Sequence, residues 1–302
     1  MTQFTTAAMA VIFVLTYAGV ALGRIPGLRL DRAGIALTGA AMTMAVGALT
    51  PQEAYQAVDL DTLALLLGMM IVVAHLKLSG FFRLVTGWAL AYAHSSLILL
   101  VVFAVTTGVL SAFLVNDAMC LIMAPLVIEV ARGLERSPIP YLLAVAMASN
   151  VGSTATITGN PQNMIIGAIS HIPYGTFAGT LAPVAAVGVV LTIVLIALLN
   201  HDQFPRTVRF TPKAATVRIH GAQMAKAVVV TLAVIGLFFV GMPVAQAALL
   251  GGALLLITRA IKARKVYREN RWLAAVDVCR LVRGGRRGRE SPADPPGDRG
   301  RQ

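Results

Sequence analysis

Charge and aromatic rings are both scarce in this chain: Asp, Glu, Lys and Arg make up 13% of its 302 residues and Phe, Trp and Tyr 6%, while 57% are hydrophobic. Soluble domains carry about 25% charged residues. A chain so short of charge cannot cover a water-facing surface, which excludes soluble enzymes and soluble binding modules. Cysteine is almost missing too. Cys120 in an apolar run and Cys279 in the tail are the two present, and settings so unlike argue against a disulfide or a metal site. Residues 1–23 lack the basic start of a signal peptide and are followed at once by further apolar stretches, so they read as a retained first helix. With a mean hydropathy of +0.78, the chain is an integral membrane protein.

The net charge of +12 would suit a nucleic-acid partner if it formed one face, and it does not. Residues 270–302 hold eight arginines against four acids, and the other bases gather in short connections: Arg24, Arg29 and Arg32; Arg206, Arg209, Lys213 and Arg218; Arg259, Lys262, Arg264, Lys265 and Arg268. That is the positive-inside pattern of membrane topology, not a polyanion-binding surface. Apolar stretches near 7–23, 33–49 and 61–77 predict helices separated by the basic 24–32 connection inside and the acidic 51–61 connection outside, with the N-terminus outside. Residues 80–94, with Arg83, Trp88, Tyr92 and His94, suit an interfacial helix. Further helices are expected near 177–199, 225–242 and 244–260.

Two interruptions carry the chemistry. Residues 96–114 and 119–131 flank a polar tip, Val115-Asn116-Asp117-Ala118, and each arm is near or below the length of about 17 residues a span needs, so they read as a re-entrant hairpin entering from the cytoplasm. Between Arg136 and Asp202 no charged residue occurs, yet this run contains Ser149-Asn-Val-Gly-Ser-Thr-Ala-Thr-Ile-Thr-Gly-Asn-Pro-Gln-Asn163. Unpaired polar groups in hydrocarbon cost several kcal/mol each. The segment 140–170 therefore reads as a helix broken at Gly152, Gly159 and Pro161, whose exposed carbonyls and N–H groups would hold a travelling solute. Ser149, Asn150, Gly152, Ser153, Thr154, Thr156, Gly159, Asn160 and Asn163, with Asn116 and Asp117 from the tip, are the candidate substrate and ion ligands, and a Na+ site is expected near Asn116 and Gly152. Scattered Ser, Thr and Gly would instead mean plain helix packing; a continuous tract of this kind argues for a site. Asp117 is the only formal charge between Arg83 and Glu129, and an acid there points to ion or proton coupling. Pro125 reads as a kink, Met69 and Met70 as packing or lipid-facing residues, and His75, His171, His201 and His220 as interface or loop residues without partners at metal spacing.

At these motifs, Val115 to Val127 and Ser149 to Asn163, the chain resembles the ion transporter superfamily of arsenite permeases, citrate transporters and divalent-anion/sodium symporters. The resemblance runs over roughly residues 5–268. It implies that the hairpin tip and the broken helix form the first half of a substrate and cation site. Where dicarboxylate symporters read Ser-Asn-Thr at the tip, this chain reads Val115-Asn116-Asp117; the added acid fits arsenite-like or ion-exchange members better than a site for a dianion. Superfamily members carry two inverted repeats, whereas this chain contains one, in a transporter domain at 1–268. The basic tail, 269–302, reads as disordered or as an out-of-frame translation. Synonymous codons for Leu273 to Glu290 exist that, read one base later, give an apolar span aligning with Leu65 to Lys77.

The expectation is thus an all-α polytopic membrane protein, one inverted-repeat half with a re-entrant hairpin and a broken transmembrane helix, in a bacterial-type inner membrane. Its function would be secondary transport of an inorganic or organic anion coupled to Na+ or H+, incomplete without the second repeat. No cofactor is called for beyond Na+ as coupling ion. The partners are membrane lipid, a small anion and, as one arrangement, a second copy in a homodimer; nucleic acid is not among them. A non-transporting membrane fragment is the alternative. A membrane-embedded hydrolase with Asp117 as base is weaker, since no nucleophile, metal set or paired acid accompanies it.

Overall fold

A computed structural model describes residues 3–23, 30–204 and 221–257, and these are helical throughout with no strand. Five of the described helices are long and apolar enough to cross a membrane. The polytopic all-α architecture read from composition is therefore present. The chain divides into two compact units, residues 1–60 and 61–302. The 269–302 tail and His220 lie outside the described residues, as does the end of the last predicted helix.

In the first unit, α1 (Gln3–Leu22) packs on α2 (Arg32–Ala45), where the missing side chain of Gly39 makes room for Thr16. Asp31 caps α2 by accepting the Gly34 N–H at 2.8 Å. The 51–61 connection contains a short helix, α3 (Pro51–Gln56), that hydropathy did not reveal. Its cause is local: Pro51 takes the first helical position, the Thr50 hydroxyl accepts the Glu53 N–H at 3.2 Å, and the Glu53 carboxylate accepts the Thr50 N–H at 2.8 Å, a complete capping box.

The second unit begins with α4 (Leu60–Ser79) and α5 (Phe81–Tyr92), divided by Gly80 in the left-handed region at φ 89°. His75, expected at an interface or in a loop, is 3% exposed inside α4, with Nδ1 2.8 Å from the Ile71 carbonyl oxygen. The helix runs on past 77 to Ser79, which leaves His75 a turn inside its end. Then come α6 (Ser96–Leu114), α7 (Asn116–Gly133), α8 (Ile139–Ser153), α9 (Pro161–Ser170), α10 (Tyr174–Leu199), α11 (Gly221–Val240) and α12 (Val244–Ile257). Helices α4 and α12 meet backbone to backbone, since a Cβ on Gly68 would fall on the Ala248 peptide.

Side-chain pairs fix the topology around the hairpin. Tyr141 reaches Ser96, Gly152 lies on Gly108, Ser149 bonds Ser111, and Thr156 bonds Ala112. From Ser96 against Tyr141 at one end to Ala112 against Thr156 at the other the numbering rises in both, so α6 and α8 run parallel and α7 carries the chain back. The base of this assembly is aromatic: Tyr141 stands edge-on to Phe103 and to Phe204, at 6.2 and 6.0 Å between ring centres. Helix α10 returns to that base from the far side. At 26 residues it is about 39 Å long, against about 28 Å for the 19 residues of α6, which is itself among the five helices long and apolar enough to cross a membrane. Val184, Val187, Leu191, Leu195 and Leu198 form an exposed stripe on α10 that suits lipid.

Candidate functional site

The hairpin turns on one residue. Val115, a buried β-branched residue, sits at φ 64° and ψ 116°, a conformation that costs energy and persists only where the surroundings enforce it. The tip is thus narrower than the four residues expected, and Asn116 and Asp117 are the first two residues of α7. The tight turn lets Asn116 N–H, which α7 cannot satisfy, donate to the Gly159 carbonyl at 2.9 Å. A backbone hydrogen bond therefore stitches the hairpin tip to the break. Ser149 adds a second stitch by donating to the Asn116 carbonyl at 2.9 Å, and the Ser111 hydroxyl donates to the Ser149 carbonyl at 2.7 Å.

The break runs from Thr154 to Asn160 between α8 and α9. Gly152 and Ser153, expected inside it, are the last residues of α8. Gly152 serves packing: a Cβ there would fall inside the Gly108 backbone, and its carbonyl accepts the Ala155 N–H. Gly159 has a similar constraint, because a Cβ would land on the Ser153 carbonyl oxygen. Asn160 caps α9 by accepting the Asn163 N–H at 2.8 Å and donates back to Ser153. Thr154 is exposed, its hydroxyl donating to the Val151 carbonyl at 2.7 Å.

Asn163 holds the break in shape. Its Nδ2 lies 3.4, 3.3 and 2.9 Å from the carbonyl oxygens of Ser153, Thr154 and Thr156. With only acceptors facing it, that end of the amide must be the NH2 group. A neutral donor thereby gathers carbonyls much as a cation would.

Asn116 is placed differently. Asn150 donates from Nδ2 to the Ala146 carbonyl at 3.1 Å and so turns its Oδ1 toward Asn116, which presents its own Nδ2 at 2.9 Å. The Asn116 Oδ1 is left buried with nothing to accept. A buried acceptor in that state costs about 1–3 kcal/mol. It lies where the tip meets the break, one residue from the exposed carboxylate of Asp117, whose position in the first turn of α7 suits an acid at a helix N-terminus.

The structure thus joins Asn116, Ser149, Asn150, Ser153, Gly159, Asn160 and Asn163 in one hydrogen-bonded network. Thr156 enters it through its carbonyl, and through its hydroxyl, which donates to the Ala112 carbonyl at the end of α6. Gly152 belongs to the packing beside it. Sequence reasoning missed Ser111, Thr158 and Tyr174. Thr158 lay inside the polar tract, but Tyr174 had no signal beyond following Pro173, since its role depends on where α10 starts.

The citrate transporter family matches residues 9–274. A 46 kDa membrane protein of Mycobacterium leprae is 32% identical over 195 residues, 62% of this chain and 43% of its own length. The putative transporter arsB of Dictyostelium discoideum is 27% identical over 63% of this chain and 33% of its own, and the silicon efflux transporter LSI3 of Oryza sativa is 32% identical over 57% and 36%. The chain spans less than half the length of these relatives. The family match covers most of the residues of this multi-pass helical chain, and the chain belongs to the citrate transporter family.

Proposed function

We propose that this chain supplies the first half of the binding site of a cation-coupled anion transporter, with Asn116 as a ligand to Na+. The observation that carries this reading is the buried, unpaired Asn116 Oδ1 at the junction of tip and break; a sodium ion would satisfy it, and Asp117 beside it would favour a cation. Asp117 also supports a compact inorganic anion or weak oxyacid over a multiply charged carboxylate, because a second negative charge beside a carboxylate is unfavourable. Proton coupling through Asp117 is the variant of the same reading. The base of the hairpin bears Arg132 and Arg136 and leads into the basic connection after Phe204, which supports a cytoplasmic base, an outside N-terminus and a bacterial-type inner membrane. Gly152 would act by holding α8 on α6 rather than as a direct ligand.

The test is Na+-dependent stabilisation of the detergent-purified chain. Sodium at one hundred times its dissociation constant should stabilise the wild type by about 2.7 kcal/mol. Asn116→Ala should abolish that gain; without sodium, removal of the unsatisfied acceptor is set against loss of the Nδ2 hydrogen bond to Asn150, so stability should change by no more than about 1 kcal/mol. Equal response of both proteins to Na+ refutes the assignment. Solute counter-flow in proteoliposomes then separates a working carrier from a membrane fragment that only inserts.

A further inference from the structure

Tyr174 stands outside the candidate ligands, yet it ends a chain of hydroxyls that runs through the break. Its oxygen is 2.9 Å from Thr158 Oγ1, which is 3.3 Å from Thr156 Oγ1, which in turn bonds the Ala112 carbonyl. Thr156 and Thr158 are buried at 2% and 0% exposure and Tyr174 at 4%. Each hydroxyl has a single proton, so the direction is determined. Thr156 gives its proton to the Ala112 carbonyl and must accept from Thr158. Thr158, its proton spent, must accept from Tyr174. The phenol is the head donor of the series.

The other end of the chain matters for the hairpin. Ala112 is in the last turn of α6, where carbonyls have no intrahelical donor, so Thr156 supplies the missing partner three residues before the strained Val115. The Thr156 carbonyl is also the nearest of the three oxygens that hold Asn163. Tyr174 itself is gripped by α11, with Phe238 at 5.3 Å and Phe239 at 5.0 Å between ring centres, the latter edge-on. One side chain thus links the end of α6, the break and α11.

We infer that Tyr174 is a positioning residue for the ion site, setting the conformation of the break through Thr158 and Thr156. It touches no ligand. Its phenolic proton orders the hydroxyl chain, and its ring fixes the phenol against α11. The inference rests on the ion-site reading above.

The experiment is 22Na+ binding to the detergent-purified chain, with sodium-free melting temperatures recorded alongside. Tyr174→Phe keeps the ring packing and removes the head donor; it should weaken Na+ binding about five- to tenfold, the size expected for one buried hydrogen bond. Thr158→Val, which keeps the side-chain shape, should weaken it equally, the double variant should be no worse than either single, and Thr158→Ser should bind like the wild type. A purely structural role would lower the melting temperatures without changing affinity. Wild-type affinity in Tyr174→Phe, or a Thr158→Ser defect as large as that of valine, overturns the inference alone. If Tyr174→Phe does not fold, the valine and serine pair decides the matter. Absence of Na+ binding by the wild type overturns the ion-site reading, and the inference with it.

Discussion

Asn163 shows how much one amide can do inside a break. It brings the carbonyl oxygens of Ser153, Thr154 and Thr156 around one NH2 group, and each of those oxygens belongs to backbone that no helix satisfies. Asn163→Asp would turn a carboxylate oxygen toward three acceptors. We expect a loss of about 1–3 kcal/mol in stability, from lost hydrogen bonds and a half-buried charge facing carbonyl oxygens, measured as a shift in detergent melting relative to Asn163→Leu, which removes the donor without adding charge. The identities of such residues were legible in the sequence, because a polar tract within 65 uncharged positions between Arg136 and Asp202 has few other uses. Their partners were not. Nothing in the sequence distinguishes Asn116, left with a buried unpaired oxygen, from Asn163, whose amide nitrogen meets three carbonyls, since that difference depends on which way Asn150 turns.

At the scale of helices, the pairing of α6 with α8 rests on bare backbone. A Cβ at Gly152 would meet the Gly108 main chain, which cannot step aside, whereas a Cβ at Gly108 would meet mainly the Val189 side chain at 3.1 Å, which can. Gly152→Ala should therefore cost about 2–3 kcal/mol and Gly108→Ala about 1 or less, against the usual range for overpacking, and chemical denaturation of the two variants checks the order. A different element gives a pH prediction. The Thr50 N–H and hydroxyl hold the Glu53 carboxyl below its ordinary value, so its carboxylate favours the folded cap above the ordinary carboxylate range, and that support is lost as pH falls through the lowered value. Amide exchange at Glu53 and Ala54, corrected for its intrinsic pH dependence, should accelerate there and should not in Glu53→Gln. Hydropathy located the long helices well because lipid demands unbroken apolar runs. It passed over α3, whose six residues are specified by capping, and it widened the hairpin tip, because a β-branched residue at positive φ contradicts its own local preference.

For the whole molecule, the exposed polar edge of the site is the informative property. Asp117, Asn150 and Thr154 are exposed beside a break that apolar helices otherwise surround, and polar groups at that depth call for a polar neighbour. The chain covers 43% of the length of the Mycobacterium leprae relative, and we propose that a second half of similar build supplies the cover. The family match extends to residue 274, six residues into the stretch read as tail, and we propose that the residues after it are an out-of-frame reading. Sequencing the encoding DNA should find a downstream frame carrying a second hairpin tip and broken helix; a stop without one removes the proposal. Joining that half to this chain should confer counter-flow that this chain lacks alone.

Because α6 and α8 run side by side in the same direction, with Ser96 against Tyr141 and Ala112 against Thr156, the hairpin, complete at Gly133, cannot find its main partner until the ribosome has added the residues through Ser153, about twenty more. The nascent α6–α7 pair must wait at the translocon with its strained turn unsupported. In a translation-arrest assay, the pulling force should peak when α8 emerges rather than when α7 does, so that completion of the site becomes a timed event in biosynthesis.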